Sequence, residues 1–134
     1  MKTILLLDDE PVVMMLLRII LKEYRLIEAT TAEQALQLFT DRRRQLDLLL
    51  TDLTLPKLSG IQVALVFRSE IPNLPVILTS GYPVSDWSER DSGDLERLGS
   101  NSVVIIQKPF HPQALRNAVC EFIGVPPPEL ARTA

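Results

Sequence analysis

The chain has 134 residues, with 14 Lys and Arg against 17 Asp and Glu, for a net charge of −3. That length suits one domain, a single cysteine excludes an internal disulfide and suits a reducing compartment, and the mild acidity argues against a nucleic-acid-coating protein. No apolar run approaches the roughly 20 residues of a membrane span, and Asp8-Asp9-Glu10 cuts off the apolar start too early for a signal peptide.

Short apolar runs then alternate with amphipathic stretches. Ile4 to Leu7 reads as a strand buried on both faces. Pro11 opens a helix whose apolar positions are Val13, Leu16, Leu17 and Ile20. Leu26 to Ala29 is a less apolar strand, nearer an edge. Thr31 and Gln34 give a capping-box pattern ahead of Ala32, Ala35, Leu36 and Phe39. Leu46 to Thr51 is the third strand, Ile61 to Ile71 the third helix, and Val76 to Thr79 the fourth strand. The stretch from Tyr82 to Asn101 is polar and carries Pro83, Gly93 and Gly99. It predicts irregular chain followed by a short helix near Asp91 to Leu98. Val103 to Gln107 is the fifth strand. Pro112 opens the last helix, with Leu115, Ala118, Val119 and Phe122 on its apolar stripe. Gly124 and Pro126 to Pro128 end it.

Strict alternation of strands and helices implies a parallel sheet with helices on both faces. Ligands of such sheets bind outside the carboxyl ends of the strands. Strand 1 is followed by Asp8-Asp9-Glu10, strand 3 by Asp52, and strand 5 by Lys108-Pro109. Strand 4 ends in Thr79. Three aspartates, a hydroxyl and a lysine therefore converge on one rim. Three carboxylates facing one ammonium leave a local excess of negative charge, which a divalent cation would offset. The donors are oxygens, so the expected metal is Mg²⁺, with Mn²⁺ or Ca²⁺ as alternatives. One carboxylate could serve as a nucleophile, Lys108 could neutralise phosphoryl oxygens, and Thr79 could donate a hydrogen bond to them.

Five motifs carry a resemblance. They are Ile4-Leu5-Leu6-Leu7-Asp8-Asp9-Glu10-Pro11, Leu50-Thr51-Asp52-Leu53-Thr54-Leu55-Pro56, Ser59-Gly60, Val76-Ile77-Leu78-Thr79-Ser80-Gly81-Tyr82, and Gln107-Lys108-Pro109-Phe110. In that order they resemble the receiver domain of two-component response regulators, of the CheY-like kind associated with hybrid histidine kinases. The resemblance implies an α/β, flavodoxin-like (βα)5 sheet of order 2-1-3-4-5 with a short or irregular fourth helix. It implies that Asp52 accepts a phosphoryl group, with Thr79 and Lys108 contacting it. Asp9 would ligate Mg²⁺ directly and Asp8 more through water, with Asp52 and the backbone carbonyl of Thr54 completing the protein ligands. The Lys108-Pro109 bond would be cis. The implied donor is a sensor histidine kinase or phosphotransfer protein, and the implied output is a downstream protein partner.

Residues 1–124 would form the receiver and 125–134 a disordered tail or linker stub. A cytoplasmic monomer or weak dimer is expected, without direct nucleic-acid or membrane contact. The protein would be a signalling module rather than an enzyme, although it would catalyse its own phosphorylation and dephosphorylation. One position departs from the family. Ile105 stands where an aromatic switch residue is usual, and it has no polar tip and a stiff side chain. The alternative reading is therefore a degenerate receiver that acts by protein interaction alone. His111 reads as a surface or cap residue, Cys120 as packing, and Arg42-Arg43-Arg44 as a solvated helix end. Trp87 reads as either a partner contact or a local anchor.

Overall fold

Strands and helices alternate without exception along the chain. The computed structural model describes residues 1–42 and 45–126. Arg43 and Arg44 of the basic run, and residues 127–134 of the expected tail, lie outside them. The elements are β1 (Thr3–Leu7), α1 (Pro11–Ile20), β2 (Arg25–Ala29), α2 (Ala32–Arg42), β3 (Leu48–Asp52), α3 (Gly60–Glu70), β4 (Val76–Ser80), α4 (Glu89–Leu98), β5 (Val103–Gln107) and α5 (Pro112–Ile123). All strand pairs are parallel, in the order β2-β1-β3-β4-β5. This is the flavodoxin-like fold.

The central strands β1, β3 and β4 are buried at every residue, while β2 and β5 lie at the edges and are partly exposed. Alternating side chains feed two cores. Leu5, Leu7, Leu49, Val76 and Leu78 face α2, α3 and α4. Ile4, Leu6, Leu48, Leu50 and Ile77 face α1 and α5. Each such side chain contributes roughly 1.5–3 kcal/mol by leaving water. Phe39 of α2 stacks on Phe67 of α3, with ring centroids 4.1 Å apart.

Three local details differ from the periodicity reading. First, α3 starts at Gly60 because Ser59 and Gln62 form a capping box, each side chain accepting from the other residue's backbone N–H. Second, α4 starts at Glu89, capped by Ser88, and is as long as α1. The irregular chain before it contains a 3-10 turn at Val84–Asp86. Third, α1 is apolar at every position but Arg18, which pairs with Glu28. It buries Met14 and Leu17 but leaves Val12, Met15, Leu16 and Ile19 exposed at 64, 49, 42 and 62%. Leu16 therefore belongs to the outer face rather than the core.

Arg68 of α3 ties the far end of α4 to the sheet. Its guanidinium donates to the carbonyls of Leu74, Leu98, Asn101 and Ser102. Burial lowers its pKa from the ordinary value. His111 caps α5, its Nδ1 accepting from the Gln113 N–H at 3.1 Å. Trp87 is buried, and its indole N–H donates to the Tyr82 carbonyl at 3.4 Å. It is a local anchor. No helix among the described residues is long and apolar enough to cross a membrane.

Candidate functional site

The parallel register brings the ends of β1, β3, β4 and β5 to one rim. Asp52, the last residue of β3, pairs in register with Thr79 of β4. Lys108 follows β5, and its peptide bond to Pro109 is cis. Its Nζ reaches into the acids at the end of β1. It lies 3.0 Å from Asp8 Oδ2, 3.3 Å from Glu10 Oε1 and 3.4 Å from Asp52 Oδ2. Asp8 is almost wholly buried, and its Oδ1 accepts from the Glu10 N–H at 2.8 Å.

One carboxylate oxygen each from Asp8, Glu10 and Asp52 lies within 4.8 Å of the others. Asp9 does not join them. Asp8 is buried while Asp9 and Glu10 are both exposed past the end of β1, and of the two exposed acids it is Glu10 that reaches the Lys108 ammonium. The acid that sequence reasoning passed over is therefore Glu10, two residues beyond Asp8.

The electrostatics follow from burial. Burial pushes the Asp52 carboxyl up to about 6 from 3.8, with the neighbouring Asp8 charge adding to the rise. The charge and hydrogen bond of Lys108 and the Thr54 N–H oppose that rise without cancelling it. Burial also works against the charge on Lys108. The Asp8 hydrogen bond and the Asp52, Asp8 and Glu10 charges outweigh it and hold the ammonium above its ordinary value. The site thus has a surplus of acid, with Asp8 and Asp52 buried and Glu10 exposed at its edge.

Thr79 supplies a second signal. Its Oγ1 is buried and has no hydrogen-bond partner among the described residues. A buried orphan hydroxyl costs about 1–3 kcal/mol unless something bonds to it. Thr79 is the register partner of Asp52, so a bound group with acceptor oxygens at this rim would satisfy it. Three clustered carboxylate oxygens suit a hard divalent cation at the same rim. Ile105 lies three residues before Lys108, half-buried on β5 against the α3 and α4 side of the core. It bounds a cleft of about 520 Å³ with Leu95, Glu96, Gly99, Ser100 and Val103.

Gly60 packs against the end of β3. Its N–H donates to the Leu53 carbonyl at 2.9 Å. A Cβ there would lie 2.1 Å from the Asp52 backbone oxygen.

Comparison with known proteins points the same way. The sequence profile of the response regulator receiver domain matches residues 4–120. The chain is 38% identical over 113 residues to the response regulator GtcR of Aneurinibacillus migulanus, covering 83% of this chain and 43% of that protein. It is 36% identical to the probable transcriptional regulator ycf27 of Porphyridium aerugineum, over 84% of this chain and 44% of that protein. The chain therefore spans less than half the length of these relatives. Among solved structures, it resembles the signal receiver domain of an HD domain-containing protein from Pseudomonas fluorescens Pf-5. That match has a TM-score of 0.78 and 27% identity, covering 91% of this chain and 94% of the other.

Proposed function

This chain belongs to the response regulator receiver domain family of two-component systems, and on that premise we propose that Asp52 accepts a phosphoryl group from a protein phosphohistidine. The observation that carries the reading is the buried Asp52 carboxylate, flanked by the Lys108 ammonium and the unpartnered Thr79 hydroxyl. A carboxylate oxygen of Asp52 attacks phosphorus. The P–O bond forms as the P–N bond to the donor imidazole breaks, and the imidazole leaves with the electron pair and takes up a proton. Lys108 offsets charge on the phosphoryl oxygens and Thr79 donates a hydrogen bond to them. In the reverse sense of the signal, water attacks phosphorus and the Asp52 carboxylate leaves with the P–O electron pair. The protein thus promotes both its own phosphorylation and its own dephosphorylation.

A divalent cation, Mg²⁺ first, would supply further charge neutralisation at the phosphoryl oxygens. Asp8, Glu10 and Asp52 are in position to hold it. Asp9 and the Thr54 carbonyl complete the set that family membership implies. Residues 1–124 are taken as the receiver, working in the cytoplasm, with 125–134 as tail or linker. Phosphorylation biases a pre-existing conformational equilibrium toward the state that a downstream protein binds.

The test is incubation with acetyl phosphate, with and without Mg²⁺, read by intact mass. One phosphoryl group should appear in the presence of Mg²⁺ and none on Asp52→Asn. Ile105 supports the alternative of a receiver that signals by binding alone, and absence of phosphoryl with every donor would favour that alternative.

The donor must cover the rim, and α1 starts there. Its exposed residue Leu16 lines a cleft of about 390 Å³ with Glu10, Val13, Lys108, Pro109 and Phe110. The apolar outer face of α1 is thus continuous with the acceptor site, and we assign it to the protein phosphodonor. A charge on this face should disrupt docking. Ile19→Asp is expected to slow transfer from the cognate protein donor at least tenfold. Stopped transfer assays with purified donor check this, and an unchanged rate would move the docking face elsewhere.

A further inference from the structure

Among the described residues, two buried side-chain atoms lack a hydrogen-bond partner, Thr79 Oγ1 and Asp94 Oδ2. The first lies at the acceptor rim. The second lies on α4 and has no part in that site. We propose that α4 is a strap poised to leave its seat on α3, and that the buried Asp94 carboxylate is the group that loads it.

α4 packs against α3. Of its ten residues only Asp94 and Leu98 are buried. They stand four residues apart and so share one face of the helix. Leu98, with the partly buried Leu95, joins the core cluster that holds Ile61, Ala64 and Phe67 of α3. A carboxylate therefore occupies the inner face of α4, whereas α1, α2, α3 and α5 bury no charged or polar residue. Asp94 is 8% exposed. Its Oδ1 accepts from Arg97 Nη1 at 3.2 Å, but the Arg97 side chain is 72% exposed, and a pair with so exposed a cation contributes little. The other carboxylate oxygen is buried without compensation, which disfavours the docked helix. Water meets that oxygen as soon as α4 moves outward.

Three further features confine the movement to α4. Asp91, Ser92, Gly93 and Asp94 are four consecutive poor helix formers, so propensity does little to hold the docked form. At the Leu98 end, Arg68 of α3 donates to the Leu98 carbonyl at 3.2 Å, and this end stays in place. At the other end the apolar anchor is Trp87, which is buried and whose indole N–H reaches the Tyr82 carbonyl at 3.4 Å. The pairing of β4 with β5 is made of backbone bonds and does not depend on α4. Outward movement of the helix therefore uncovers Trp87 and the α3 face beneath, while the sheet keeps its register. A ligand selective for the open form would enrich it.

Hydrogen exchange on the full chain, without any phosphoryl donor, tests this. In the parent, α4 amides should exchange at least about tenfold faster than those of β3, and with little response to low urea, because a local opening exposes little surface. Asp94→Leu should slow α4 exchange roughly five- to hundredfold, the scale of one unmet buried polar group. It should also lower acrylamide quenching of Trp87, the only tryptophan. Asp94→Asn removes the charge but keeps polar atoms, and should fall between the parent and Asp94→Leu. Arg90→Leu places the same residue at an exposed position of α4 and should change neither readout. Parental α4 amides as protected and as urea-sensitive as those of β3 would overturn the proposal. So would α4 exchange that is equal in the parent and both Asp94 variants. Slowing by Arg90→Leu as large as by Asp94→Leu would overturn it too, since helix propensity rather than the buried carboxylate would then set the opening.

Discussion

In metal-free buffer at pH 8, Asp52→Asn is expected to be more stable than the parent chain, and the gain should fade as pH drops toward 4. Burial pushes the parent carboxyl up to about 6 from its ordinary 3.8. Between those values the folded chain keeps a proton that the unfolded chain has released. Parental stability therefore falls as pH rises through that window and stays low above it. Below it both states are protonated and nothing is lost. Two pKa units correspond to roughly 3 kcal/mol, an upper scale for a buried group that has Lys108 nearby. The neutral amide avoids most of this. Urea unfolding of both proteins at pH 8 and pH 4 checks it. An equal gain at both pH values would show that desolvation of Asp52 is not the cause. The acceptor is thus held at the expense of stability, as reactive groups in folded proteins commonly are.

Gly60→Ala should lower both stability and phosphoryl uptake. The added methyl would stand 2.1 Å from the Asp52 backbone oxygen and 2.8 Å from Thr51 Oγ1. Neither neighbour can yield easily, because both belong to the fully buried strand β3. The start of α3 must move away, or the end of β3 must. Overpacking of this kind costs about 1–3 kcal/mol. Displacing the end of β3 displaces Asp52, so uptake from acetyl phosphate should fall at least tenfold. Ser59→Ala is the matched control. It removes the α3 cap, also worth about 1 kcal/mol, without adding bulk against β3. Equal uptake by the two variants would mean that the Gly60 contact stabilises the fold but does not position Asp52.

Much of this architecture could be read from residues in chain order. Continuous apolar runs marked β1, β3 and β4 because parallel strands covered on both faces have no polar side. The rim followed from asking what succeeds each strand, which brought Asp8, Asp52, Thr79 and Lys108 to one place. The outer face of α1 was not legible. Pro11 to Ile20 is apolar at every position but Arg18, so periodicity alone cannot say which stripe meets the sheet. Only tertiary packing chose Met14 and Leu17 over Leu16. Glu10 was passed over for a similar reason, since three consecutive acids carry no mark of direction until the chain bends after β1.

The four carbonyls gathered by Arg68 give α4 the mechanics of a lever. Its Leu98 end is fixed to α3 and to the chain entering β5, while its other end follows the loop that holds Tyr82 and Trp87. Ten residues of helix make an arm of roughly 15 Å. A tilt of about 10° at the fulcrum would carry the Ser88 end roughly 3 Å, given that length. Displacement along α4 therefore grows toward the acceptor rim and is smallest beside β5. A reporter group at Glu89 would register the same tilt several times more strongly than one at Arg97.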